Sequence, residues 1–119
     1  EGALFATHHE LDNFMVIVDE NGFQAMGNTQ DIMKLGSIQS KFESFGFEAI
    51  TIDGHDEMAI NKAIVGLWKG NKKKPKALIA KTVKGKGVDF MEHDNSWHYT
   101  RLNQESYKQA ILSINGNNT

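Results

Sequence analysis

Two polar clusters carry residue types that could do chemistry. In Val16-Ile17-Val18-Asp19-Glu20-Asn21-Gly22-Phe23-Gln24 an apolar run breaks off into acids, an amide and a glycine. A side-chain amide oxygen at Asn21, followed by a glycine that lets backbone carbonyls turn inward, can serve a hard cation such as Mg²⁺, which takes oxygen ligands. A plain β-turn uses the same residues. In Val83-Lys84-Gly85-Lys86-Gly87-Val88 glycine alternates with lysine. The glycines let backbone come close to a ligand, and Lys84 or Lys86 offers a point charge for phosphate; a mobile surface loop has the same composition. His8-His9 beside Glu10 and Asp12 suggests metal ligands, but neighbours on a helix point about 100° apart and chelate poorly, so solvated histidines at a helix end are expected. The basic run from Asn71 to Lys74 reads as a solvated loop rather than a phosphate patch.

These clusters need elements to position them. Val and Ile suit a strand buried on both faces, and Asp19 to Gly22 supply the turn chemistry that stops it. Asn21 is then at the strand's carboxyl edge, where ligands gather in open α/β sheets. Glu48 to Asp53 reads as a second strand and Ala77 to Thr82 as a third. Around them four helices are expected. The first opens the chain with Ala3, Leu4, Phe5 and Leu11 on one face and no N-cap before it, as if entered partway. The second carries Leu35, Ile38, Phe42 and Phe45 and ends at Gly46. Asp56 caps the third, whose stripe Ile60, Ala63, Ile64, Leu67 and Trp68 faces the core before Gly70 ends it. Asn103 caps the fourth, with Tyr107, Ala110, Ile111 and Ile114 on one face, and Gly116 to Thr119 reads as a fraying tail. Gly27 to Asp31 reads as a polar connector. The segment from Asp89 to Tyr99, with Phe90, Met91, Trp97 and two histidines, reads as an irregular loop packed onto something.

This alternation predicts an α/β fold, a doubly wound parallel sheet with helices on both faces. Both polar clusters, Asn21 and Lys84 to His98, follow strands. They would share one carboxyl edge and one anionic ligand, an anion or nucleotide-like cofactor.

Composition sets the outer bounds. The 119 residues make one domain with one sizeable core. With 13 Lys+Arg against 15 Asp+Glu and a pI near 6.2, neither nucleic acid nor an anionic membrane is favoured as a partner. There is no cysteine, which excludes disulfides, thiolate metal sites and a cysteine nucleophile. No secretory signal or apolar run of membrane-spanning length is present, and cytoplasm is the expected compartment.

Several stretches together resemble the thiamine diphosphate domain of transketolase, especially the N-terminal subunit of the form split between two chains. They are His8-His9-Glu10-Leu11-Asp12-Asn13, Val18-Asp19-Glu20-Asn21-Gly22-Phe23-Gln24, Ile52-Asp53-Gly54-His55-Asp56, Lys81-Thr82-Val83-Lys84-Gly85-Lys86-Gly87-Val88, Phe90-Met91-Glu92 and Ser96-Trp97-His98. The order and spacing make the match specific, nearly end to end. The resemblance implies that Asn21 binds the Mg²⁺ or Ca²⁺ that clamps the cofactor's diphosphate and that Phe23 lends its backbone carbonyl. It implies that Lys84 lies near the cofactor and that His98 faces diphosphate and the reacting sugar, where donors stabilise negative charge and a neutral imidazole moves protons. Glu1 resembles a glutamate of the acidic network between paired active sites.

The chain also departs from the family's pattern. A Gly-Asp-Gly motif that supplies the other protein ligand of the metal lies roughly thirty residues before the asparagine in the family, whereas twenty residues precede Asn21 here. The glutamate that activates the cofactor comes from a different domain. His98 is commonly followed by Gly and then Pro, but here by Tyr99-Thr100-Arg101-Leu102. The expectation is therefore that residues 1–119 form the C-terminal part of a transketolase-like diphosphate-binding domain, incomplete at its N-terminal side. It would act with a pyrimidine-binding domain or subunit, as a homodimer or heterotetramer, on a sugar phosphate substrate, transferring a two-carbon ketol unit from a ketose to an aldose. An acyloin-forming or decarboxylating synthase with the same cofactor and a non-catalytic α/β scaffold or regulatory fragment are the alternatives. A sheet lacking its first strands would leave an exposed edge and apolar faces, so the fragment alone is expected to aggregate or dimerise.

Overall fold

The run Lys-Ala-Leu-Ile-Ala-Lys at 76–81 has the continuous apolar character of a strand covered on both faces, and it forms the centre of the sheet. The computed structural model describes residues 1–116 of the chain, which fold as two compact units. The first comprises Glu1–Glu20 and Leu35–Thr82, and the second Asn21–Lys34 and, of the described residues, 83–116. Residues 117–119 of the expected tail lie outside the described residues; Gly116 is the last residue of a helix.

In chain order the first unit holds α1 (Gly2–His8) and β1 (Met15–Glu20). The second unit follows with β2 (Phe23–Gln24), β3 (Gly27–Asn28) and α2 (Thr29–Ile32). The first resumes with α3 (Ile38–Ser44), β4 (Glu48–Asp53), α4 (Glu57–Lys69) and β5 (Lys76–Lys81), and the second ends with a 3₁₀ turn (Asn95–His98) and α5 (Gln104–Gly116).

The first unit is a parallel sheet in the order β1-β5-β4. Val16 and Val18 stand beside Ala77 and Ile79 in register, and Ala49 stands on the other side of Ala77. These residues share one face, and there Ala77 and Ile79 pack with Ala6 of α1, Phe47, and Ile38 and Phe42 of α3. On the opposite face Leu78 meets Ala63 and Leu67 of α4. Helices thus cover both faces, as the alternation predicts.

Several details differ from expectation. β1 runs through Asp19 and Glu20, which pair with Ala80 and Lys81, because parallel ladder bonds outweigh the turn preference of an acid. The Asp19 carboxylate accepts a hydrogen bond from the Thr82 hydroxyl. Ile17 is 62% exposed, so β1 is not buried on both faces: α4 covers the middle of its face, over Leu78, and leaves the edge open. In α1 it is Ala6 that is buried, with Ala3 and Leu11 packed against the same cluster, while Leu4 and Phe5 are exposed. Trp68 is exposed rather than core; it lies one residue, about 100° of helix, past Leu67. α3 begins at Ile38 because the Ser37 hydroxyl caps it through the Ser40 N–H at 3.1 Å, which leaves Leu35 outside. The Asp56 cap is formed as expected, its Oδ1 accepting from the N–H groups of Met58 and Ala59 at 2.9 and 3.0 Å.

One charge is buried at the start of β5. Lys76 is 1% exposed; its ammonium donates to Glu48 Oε2 at 2.8 Å and to the Asn71 carbonyl. Glu48 Oε2 also accepts from the Asn71 N–H at 2.9 Å. The loop from Asn71 to Lys74 is exposed, as expected.

In the second unit the expected polar connector contains real structure. Gly27 and Asn28 pair back onto Gln24 and Phe23, and the Asn28 side chain caps α2 through the Gln30 N–H at 2.8 Å. Asn103 caps α5 reciprocally with Ser106: Asn103 Oδ1 accepts from the Ser106 N–H at 2.8 Å, and Ser106 Oγ accepts from the Asn103 N–H at 2.9 Å. Only Ala110 of the expected apolar face is buried; Tyr107, Ile111 and Ile114 are exposed. Among the described residues no helix is long and apolar enough to cross a membrane.

Candidate functional site

Asn21, Phe23, Lys84 and His98 all belong to the second unit. Asn21 directly follows β1 and begins an Asx turn, its Oδ1 accepting from the Phe23 N–H at 2.9 Å. The Gly22 carbonyl accepts from the Thr29 N–H at 2.8 Å, which marks Gly22 and Thr29 as a hydrogen-bonded pair. Pairs alternate along an antiparallel ladder, so Phe23 opposite Asn28 turns its own N–H and C=O away from the hairpin. That is the side on which the Asn21 amide lies. An amide oxygen and a backbone carbonyl on one side of a short strand fit a hard cation as two of its oxygen donors. Among the described residues no group of three His, Cys, Asp or Glu could hold a metal by itself, so the remaining ligands would come from water, diphosphate or other protein.

The Lys-Gly-Lys-Gly stretch is an ordered turn. Gly85 has φ +77°, and a Cβ there would lie 2.4 Å from the Met91 carbonyl oxygen. The close approach this glycine permits is therefore to the chain itself, not to a ligand. Bonds from Lys86 N–H to Val83 O (3.2 Å), Val88 N–H to Gly85 O (3.1 Å) and His93 N–H to Lys84 O (3.1 Å) shape the loop. Glu92 Oε1 accepts from the Gly87 N–H at 3.0 Å and lies 3.5 Å from the Lys86 ammonium. The Gly87 N–H, followed by the Lys86 charge, holds the Glu92 carboxyl below its ordinary pKa. The two lysines are thereby distinguished. Lys86 is paired with Glu92, whereas Lys84, a half-buried residue, has no ion pair or side-chain hydrogen bond among the described residues.

His98 ends the 3₁₀ turn and is exposed, its ring edge-on to Tyr99 at 4.6 Å. Asp94 caps this turn through the Ser96 N–H at 2.9 Å, and that bond keeps its carboxyl below the usual range. The aromatic loop packs on itself: the Trp97 indole N–H donates to the Phe90 carbonyl at 3.1 Å and the rings meet edge-on at 5.2 Å. Asn95 Nδ2 donates to the Ala25 carbonyl at 3.3 Å, which ties the turn bearing His98 to the hairpin that follows Asn21. Glu1, exposed ahead of α1, belongs to the first unit. His8 and His9 are solvated at the end of α1, as expected.

Sequence reasoning missed Glu92 and Asn95 as structural members of this unit. Their partners lie five and seventy residues away in the chain, and no periodicity announces such pairs.

The chain matches the family described as "Transketolase, thiamine diphosphate binding domain" over residues 1–117. It belongs to this family. It is 32% identical over 114 residues to an apulose-4-phosphate transketolase subunit of Phocaeicola vulgatus, covering 96% of this chain and 40% of that protein. It is 33% identical over 114 residues to human transketolase, covering 96% of this chain and 18% of that protein. The crystal structure of transketolase from Campylobacter jejuni superposes with a TM-score of 0.85 at 34% identity, over 95% of this chain and 17% of that one. This transketolase-family chain thus spans about two-fifths of the Phocaeicola relative and under a fifth of the human and Campylobacter proteins.

Proposed function

We propose that this chain contributes the diphosphate-binding part of one subunit of a thiamine diphosphate-dependent transketolase, which transfers a two-carbon ketol unit from a ketose to an aldose. What supports the reading is that, in a chain of this family, Asn21, Phe23, an exposed His98 and Lys84, which has no ion pair or side-chain hydrogen bond among the described residues, all belong to one compact unit. Asn21 Oδ1 and the Phe23 carbonyl would hold Mg²⁺ or Ca²⁺ on the diphosphate. Lys84 would add positive charge beside that anion, and His98 would hold or move a proton at a substrate oxygen. Thiamine diphosphate, when bound, supplies the carbanion chemistry of ketol transfer, and the protein positions and charges it.

The related subunits named for apulose 4-phosphate and 6-deoxy-6-sulfo-D-fructose support an anionic ketose as the donor class. The same names favour a two-chain enzyme, in which a partner bearing a pyrimidine-binding domain supplies the activating glutamate. Glu1 would join an acidic network with the paired site, in a homodimer or heterotetramer in the cytoplasm.

Titration calorimetry of thiamine diphosphate into the full-length protein with its co-purified partner tests this reading. Binding that requires Mg²⁺ is expected, and no binding with or without metal would overturn it. Product analysis then separates donors: phosphoketoses should be turned over, and turnover of 2-oxo acids alone would make the enzyme a synthase of another kind.

A further inference from the structure

We infer that Glu92 is a positioning residue that fixes the turn carrying Lys84. This rests on the proposal that Lys84 faces the cofactor's diphosphate. A stretch with two glycines in four residues has a wide choice of backbone conformers. Here the choice is removed from within the loop. The Lys84 carbonyl is held by the His93 N–H at 3.1 Å, and Met91 and Glu92 fold back onto the Val88 carbonyl through their N–H groups at 2.8 and 3.2 Å. Val88 itself is buried. That fold delivers the Glu92 carboxylate to the Gly87 N–H, 3.0 Å away, and to the Lys86 ammonium at 3.5 Å.

One carboxylate oxygen thus does two jobs. It takes up the backbone donor at the tip of the turn, and it holds the second lysine so that Lys84 is the cation left to meet an anion. The Glu92 side chain is 27% exposed, so its removal opens no core cavity. The loss falls on the order of the turn, and hence on the affinity for an anion that Lys84 meets, because a disordered loop must be fixed again on binding.

The test uses the full-length protein with its partner, read by calorimetric affinity for thiamine diphosphate with Mg²⁺ and by thermal midpoint. Glu92→Ala should weaken binding about ten-fold, the factor carried by one hydrogen bond of ordinary net strength, with little change in midpoint. Glu92→Gln, whose amide oxygen still accepts from Gly87, should restore affinity to within about two-fold. In a Lys84→Met background Glu92→Ala should have no further effect, since coupled residues do not add.

An unchanged affinity for Glu92→Ala, or an equal loss in both backgrounds, would overturn the positioning role while leaving Lys84 at the cofactor. Unchanged affinity for Lys84→Met alone would remove Lys84 from the site, and Glu92's role with it. Should Glu92→Ala fail to assemble, Glu92→Met keeps the stem, lacks the acceptor and carries the same comparison.

Discussion

Gly85→Ala set against Gly87→Ala separates the cost of a left-handed backbone from the cost of lost space. Gly85 and Gly87 have φ +77° and +91°, so an alanine at either suffers a left-handed penalty of about 1–2 kcal/mol. They differ in surroundings. No heavy atom lies within 4 Å of a Cβ at Gly87, whereas at Gly85 it would meet Met91 O at 2.4 Å and Met91 C at 2.6 Å. Both atoms are backbone, so no rotamer change relieves the clash and the 91–93 segment must move. That movement loosens the Met91–Val88 and His93–Lys84 bonds, each worth about 1 kcal/mol net. Gly85→Ala should therefore cost about 3–4 kcal/mol and Gly87→Ala about 1–2 kcal/mol. Urea unfolding of the full-length protein with its partner measures the difference, and thiamine diphosphate titration of the same variants should lose affinity in the same order. Equal unfolding costs for the two variants would refute the closure of Met91 over Gly85.

Four further outcomes are expected. Glu48→Gln should cost about 3 kcal/mol, at the low end for breaking a buried pair because the Glu48 carboxylate is 35% exposed, whereas Lys76→Met, which removes the buried charge instead of stranding it, should cost less; the reverse order in urea unfolding would remove the pair from its structural role. The hydrogen bond from Lys76 holds the Glu48 carboxyl below its ordinary value of 4.5, so its contribution is fully present above that value and is lost as pH falls through the lower folded value. Midpoints measured across that range should show an acid-side slope that Glu48→Gln diminishes. Asn21→Ala should raise the Mg²⁺ needed for cofactor binding and also lose the Asx bond to Phe23, about 1 kcal/mol; an unchanged metal requirement would take Asn21 out of the site. His98→Ala should leave the thermal midpoint within a degree or two, since the ring is exposed, and lower turnover by about 10²–10⁴-fold. A large loss of stability with normal turnover would make His98 structural.

Much of the fold was legible because its determinants are local. The caps at Asp56 and Asn103 are bonds to N–H groups two or three residues ahead, and a residue type at one position announces them. The three parallel strands follow from β-branched and apolar runs of strand length, and the transketolase-like strings around Asn21, Lys84 and His98 named the family from order and spacing alone.

What needed the tertiary structure is what distant residues decide. The order β1-β5-β4 places the last strand in the middle, and nothing within Lys76–Lys81 states which neighbours it takes. Ile17, Trp68, Leu4 and Phe5 look like core residues in the sequence and are exposed, because periodicity shows that a face is apolar but not whether another element covers it. Lys76 looks like a solvated lysine and is buried, because Glu48 and the Asn71 carbonyl, 28 and 5 residues away, converge on its ammonium. Likewise Lys84 and Lys86 are equivalent as letters. Only the fold of the loop brings Glu92 to Lys86, and nothing in the letters says which of the two lysines that carboxylate meets.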